Sequence, residues 1–133
     1  MKQNYSRLAE WSDWVCMNLP FLSHVAIMGL ELTNNALRNI ESVYIDPIDY
    51  KEELFKSIRI FRRHDIPSFV YNHQLCTVDS RIWNNCSRSI SDFKVIYLEE
   101  CQSCALKEQC GGLFNSTKYK HSVGIQPIKE KKW

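Results

Sequence analysis

Tyr50-Lys-Glu-Glu-Leu-Phe-Lys-Ser-Ile-Arg-Ile-Phe-Arg-Arg63, then His64-Asp65, then Ile66-Pro-Ser-Phe-Val-Tyr71, is the stretch whose pattern decides the fold. Leu54, Phe55, Ile58 and Phe61 recur at three- and four-residue spacing, which predicts a helix over about Tyr50 to Arg63. Lys51, Glu52, Lys56, Arg59 and Arg63 fall on the opposite, water-facing side. Asp46-Pro47 suits a turn or a helical first turn, and Asp49 three residues before Glu52 predicts a capping box. His64-Asp65 suits the exit. Ile66 to Tyr71 then reads as a strand, with Pro67 at its beginning, where a missing N–H is tolerated. Upstream, His24-Val-Ala-Ile-Met-Gly29 is short and mostly apolar and reads as a buried strand. Strand, helix, strand in this order predicts an α/β unit with parallel pairing.

Further out the pattern is less regular. Leu8, Trp11 and Val15 mark a helix over Tyr5 to Met17, with Trp14 beside that face and Cys16 as a small buried hydrophobe. Pro20 ends it or forces an extended approach. Leu32 to Ile40 is ambiguous, Asn34-Asn35 favouring a turn, and Ser42 to Ile45 suits a short strand. Beyond Val78 the character changes. This sets a soft boundary between an α/β segment (1–78) and a cysteine-rich region with a basic tail (79–133). Ser89 or Ser91 can cap a short helix running to Tyr97.

A chain of 133 residues cannot hold a complete (β/α)8 barrel, which takes ~250. Seventeen basic against fifteen acidic side chains give a net charge of +2, too little to argue for nucleic acid. Residues 117–133 carry five lysines against Glu130, a local net of +4, so the remainder nets −2. Such a tail can meet phosphate or an acidic partner, and the plainer expectation is a solvated, frayed C-terminus. The longest wholly apolar run, Val25 to Met28, predicts no membrane span. The polar start, Met1 to Glu10, does not read as a secretory signal, and the expected compartment is the reducing cytoplasm.

Six cysteines is a high count for such a chain, and in a reducing compartment clustered thiols point to metal or redox chemistry. The strongest local signal is Cys101-x2-Cys104-x5-Cys110, followed at once by Gly111-Gly112. Two thiolates two residues apart can turn toward one centre, and a third returns after a short loop. Thiolates suit iron–sulfur clusters and zinc. Paired glycines let backbone approach a bulky inorganic group, where exposed amides can hydrogen-bond to sulfide. Cys76 is the first choice for a fourth ligand, Cys86 the second, and His121 the third, the last favouring zinc. A thioredoxin-like pair would instead sit at a helix N-terminus after a strand.

Three more residues stand at predicted strand ends, where α/β folds place their chemistry. His73 can support a cluster or contact substrate, or serve as a satisfied structural histidine. Gly29 permits a tight turn or close approach by a ligand. Glu31 can grip an amine or hydroxyl group, or be a solvated loop residue. His24, at a strand start, reads as structural.

These segments resemble the C-terminal part of radical SAM peptide-maturation enzymes, and most of all the His-Xaa-Ser system radical SAM maturases. The similar stretches are Leu19 to Glu31, Tyr44 to Tyr50, Val70 to Cys76, Cys101 to Gly112, and His121 to Pro127. They span most of this chain but only the later part of a full family member. The resemblance implies the C-terminal portion of a partial (β/α)6 radical SAM barrel, followed by a small cluster-binding extension of the twitch or SPASM kind. It implies that Cys76, Cys101, Cys104 and Cys110 bind one auxiliary [4Fe–4S] cluster. Phe114 stands four residues after Cys110, so a single cluster is expected. It places Gly29 and Glu31 near the S-adenosylmethionine side of the barrel.

One departure bears on chemistry. The family generates its radical at a cluster held by Cys-x3-Cys-x2-Cys, and Cys16 is the only cysteine before Cys76 here. The resemblance therefore implies a cluster-binding fragment or truncated relative that is not catalytic alone. S-adenosylmethionine would be used only if a partner supplied the missing half-barrel. The implied partners are a peptide substrate and that complementary half, or a second copy. The competing expectation is a zinc-stabilised module that binds protein or peptide without catalysis.

Overall fold

The amphipathic stripe of residues 51–63 organises the molecule. In a computed structural model that describes residues 1–88 and 95–130, it forms helix α4 (Lys51–Arg63), with Leu54, Phe55, Ile58 and Phe61 buried. Helix α1 (Leu8–Asn18) packs along it. Small residues permit the close crossing. Ser12 and Ser57 are both fully buried and hydrogen-bonded to each other, and Ser12 Oγ donates to the Leu8 carbonyl at 2.9 Å. With the Ser12 proton used there, Ser57 is the donor between the two hydroxyls.

The predicted strands form β1 (Val25–Met28) and β2 (Ser68–Tyr71), paired in parallel with Val25 opposite Ser68 and Met28 opposite Tyr71. One core lies between α4 and β2 and continues through Val78 and Ile82, so packing does not break at 78. A second joins Val15, Cys16, Val25, Phe61 and Ile66. Arg81 closes the first from outside. Its guanidinium stands 3.6 Å from the Phe55 ring centroid and pairs with Asp79 at 2.7 Å. The outer edge of β2 is met by a bridge from Val70 to Cys86, and Ser87 N–H donates to the Val70 carbonyl. β1 has no second neighbour among the described residues. The class is mixed α/β with small sheets, and the described residues contain no closed barrel.

Several local expectations change. Asn34-Asn35 opens helix α2 (Asn34–Arg38) instead of a turn, with Asn34 at φ 46°. Asparagine tolerates that left-handed geometry better than most residues. The strand expected over Ser42 to Ile45 is replaced by helix α3 (Ile40–Val43), after which Tyr44 turns extended. The capping box does not form. Tyr50 is the N-cap of α4, with no side-chain bond, and Asp46 instead accepts the Ile48 N–H at 3.2 Å to cap a 3-10 turn over Pro47–Asp49. The helix expected from Ser89 or Ser91 falls largely outside the described residues. Its far end, Val95–Ile96, is strand β3, antiparallel to β4 (Leu113–Phe114). Among the described residues no helix is long and apolar enough to cross a membrane.

Candidate metal centre

Tyr71 leaves β2 into Asn72, and the next five residues link two sites. Asn72 takes φ 61°, turning the chain so that its side-chain amide donates to the Gly29 carbonyl at 3.3 Å. A Cβ on Gly29 would meet Asn72 O at 2.6 Å and His73 Cε1 at 3.0 Å. The close approach expected at Gly29 is thus made by the chain's own backbone and an imidazole. His73 is 4% exposed, with Nδ1 2.9 Å from the Tyr71 carbonyl and Nε2 2.7 Å from the Tyr50 hydroxyl. The carbonyl only accepts, so Nδ1 carries the proton and Nε2 accepts from Tyr50. Burial holds the imidazolium pKa below its ordinary value, partly opposed by the bond to Tyr71.

Gly29, His73 and Tyr50 lie on a groove of about 1050 Å³, walled by Trp11, Trp14 and Tyr44 and floored along β1. Ala26, Ile27 and Met28 of β1, a strand with no second neighbour among the described residues, line the groove. The Tyr44 hydroxyl is buried there without a hydrogen-bond partner. Glu31 is half-buried and is not among the groove's lining residues. His24 is exposed, with its ring edge-on to Phe69.

Cys76 faces the other way. Together with Cys101, Cys104 and Cys110 it lines one small cavity of about 20 Å³, closed by Gln74, Tyr97, Leu113 and residues of the C-terminal segment. Short 3-10 turns over Glu99–Ser103 and Lys107–Gln109 bring the last three cysteines round. Tyr97 Oη donates toward the carbonyls of Cys110 at 3.1 Å and Lys107 at 3.3 Å. The buried Gln74 amide donates to the Gly112 carbonyl at 2.9 Å, tying the strand end to the loop. Gly112 sits at φ 64°, and its N–H donates to Cys110 Sγ at 3.4 Å. This bond goes to a cysteine sulfur, whereas the expectation for the paired glycines was of amides meeting the sulfide of a bound centre.

The other two candidate ligands lie elsewhere. Cys86 is outside the cavity lining and packs against the first core, its Sγ 3.5 Å from the Ile82 carbonyl. Burial, and then the charge of Cys110, push its thiol up to about 12. His121 is exposed, with Nδ1 3.2 Å from the Thr117 carbonyl, and does not line the cavity. The expected frayed tail is also corrected. Ser122 is buried, Ser122 Oγ and Val123 N–H donate to the Asp46 carboxylate, and Ala105 N–H donates to the Ile128 carbonyl at 2.8 Å.

Burial raises the thiols of Cys76 and Cys101, and the charge of neighbouring cysteines raises them further. Backbone hydrogen bonds from Gln126 and Leu98 act in the opposite direction. Thiolates crowded this way would repel one another, and a cationic centre would relieve that repulsion. The donor set, four soft sulfurs of which those of Cys104 and Cys110 accept a backbone N–H, fits an iron–sulfur cluster in its chemistry. The cavity is smaller than a cluster, so uptake of one would require the cysteine turns to move outward. Among the described residues, no three His, Cys, Asp or Glu side chains are grouped to hold a single metal ion. A cluster carries its ligands on separate irons and so spaces sulfurs more widely than one ion does.

Sequence reasoning passed over Gln74, Tyr97, Gln126, Ile128 and Tyr50. Each acts through a partner distant in the chain, and no local spacing announces that. No family model, no curated protein and no solved structure matches this chain.

Proposed function

We propose that the chain is the iron–sulfur-binding portion of, or a truncated relative of, a radical SAM peptide maturase. Cys76, Cys101, Cys104 and Cys110 hold one auxiliary [4Fe–4S] cluster. The observation that carries this reading is the convergence of those four thiols on one cavity, across 34 residues of sequence from Cys76 to Cys110. When bound, such a cluster supplies a reversible one-electron store. The chain's own residues hold and shield it: Gln74 and Tyr97 fix the loop, and backbone amides meet the sulfurs.

The 133 residues contain no Cys-x3-Cys-x2-Cys run. A separate half-barrel therefore supplies the radical-forming cluster and S-adenosylmethionine chemistry, and this chain is not catalytic by itself. The free edge of β1 supports pairing with that half. An unpaired strand edge presents main-chain donors and acceptors to a further strand. The peptide substrate then lies along the groove, with Gly29 and His73 at its floor.

Anaerobic reconstitution with iron and sulfide, followed by metal and sulfide analysis and Mössbauer spectroscopy, tests the cluster. Expected are about four irons and four sulfides per chain, lost in Cys104→Ala and in Cys76→Ala. One zinc without sulfide would replace this reading with a zinc-stabilised protein- or peptide-binding module. Mixing with a chain that carries the cysteine triplet tests the pairing, and failure to restore cleavage of S-adenosylmethionine would remove it.

A further inference from the structure

The segment after Ser122 crosses the molecule from Asp46 to the cysteines. At one end Val123 N–H donates to Asp46 Oδ2 at 2.9 Å, and Gly124 lies so near Ile48 that a Cβ there would clash with Ile48 Cγ2. At the other end Ile125, Gln126 and Ile128 form one wall of the cysteine cavity. Ile128 N–H donates to Cys104 Sγ at 3.4 Å while its carbonyl accepts from Ala105 N–H at 2.8 Å. The Gln126 backbone acts on the Cys76 thiol as a donor would, lowering its pKa against the effect of burial. The residue between them is Pro127, which has no N–H. The Ile128 donor faces sulfur, and the position before it has no donor to satisfy.

We infer that residues 125–128 are an amide strap of the metal centre, with the main-chain N–H groups of Gln126 and Ile128 setting the electron affinity of the thiolate-bound cluster. The inference rests on the cluster reading above. An N–H pointed at a ligating sulfur stabilises negative charge on it, and the reduced cluster carries more of that charge. Removing a donor therefore makes reduction harder. Gln126 and Ile128 are positioning residues that act through their backbone, so side-chain truncation is tolerated and loss of the N–H is not.

The test is a mediator titration with dithionite on the reconstituted full chain, comparing Ile128→Pro, Gln126→Pro and Ile128→Ala. Each proline variant should shift the reduction equilibrium about tenfold toward the oxidised form, a fall of about 59 mV for one electron. Ile128→Ala, which keeps its N–H, should titrate with the parent chain. Proline variants with full iron content and parental potentials would overturn the strap. Proline variants that lose the cluster while Ile128→Ala retains it would support it. Hydrogen exchange of the reconstituted parent chain covers the case in which the proline variants fail to fold. Slow exchange at Gln126 and Ile128 is expected, and exchange at the rate of unstructured peptide would overturn the proposal. A parent chain that takes up no iron or sulfide would overturn the cluster reading itself, before any variant is compared.

Discussion

His73 shows how one buried side chain ties stability to pH. Its folded-state pKa lies below the ordinary 6.5, chiefly because burial disfavours the charged ring. As pH falls through that ordinary value the unfolded chain takes up the proton first. Stability is therefore lost below about pH 6.5 and is fully present above it. Thermal melts of the apo chain from about pH 7.5 to about pH 5.5 should show a falling Tm, and His73→Gln should flatten that slope. Cys86 makes a second expectation at this scale. Its thiol is protonated and packed in the core, so Cys86→Ala should keep the iron and sulfide content of the parent chain. Loss of iron in that variant, read by the same metal analysis, would move the fourth ligand from Cys76 to Cys86. The sequence ranked Cys76 before Cys86 but could not show which of them meets the other three cysteines, because that depends on where the chain turns after Asn72.

Elements were legible where a single period ran long enough. The stripe Leu54, Phe55, Ile58, Phe61 specifies α4 through burial alone, and all four side chains are buried. Leu54→Ala removes a fully buried side chain and should cost about 2–5 kcal/mol, measurable by urea unfolding with an unchanged m-value. The parallel pairing of β1 and β2 was legible for the same reason, since a helix must return one strand beside the other. Short elements were not. Residues 40–43 carry too few positions to separate helix from strand, and the Asp49–Glu52 box failed because Asp46 captured the turn three residues earlier. Ser12 and Ser57 read as ordinary polar residues. Only the packing of α1 on α4 reveals why a hydroxyl pair is buried at that crossing.

Across the whole molecule, both hydrophobic core clusters are built from residues up to Cys86. Beyond it the described chain has a two-residue-per-strand ladder, 3-10 turns and isolated buried side chains such as Leu106 and Leu113. On the cluster reading, a region so built would draw part of its order from the metal. Chelation of the reconstituted protein should raise hydrogen exchange over 95–130 while leaving the slow amides of α4 protected. Equal loss in both regions would show one cooperative unit instead. The grouping of Cys101, Cys104 and Cys110 was legible, because their spacing is local. Its outer wall was not, because Gln126 and Ile128 contribute main-chain groups that every sequence possesses. That wall also follows all four cysteines in chain order. As the polypeptide is synthesised, the thiols exist before the segment that covers them, so a newly made chain has an interval in which its sulfurs stand open to a metal donor or an oxidant, and whichever arrives first decides which form the strap closes over.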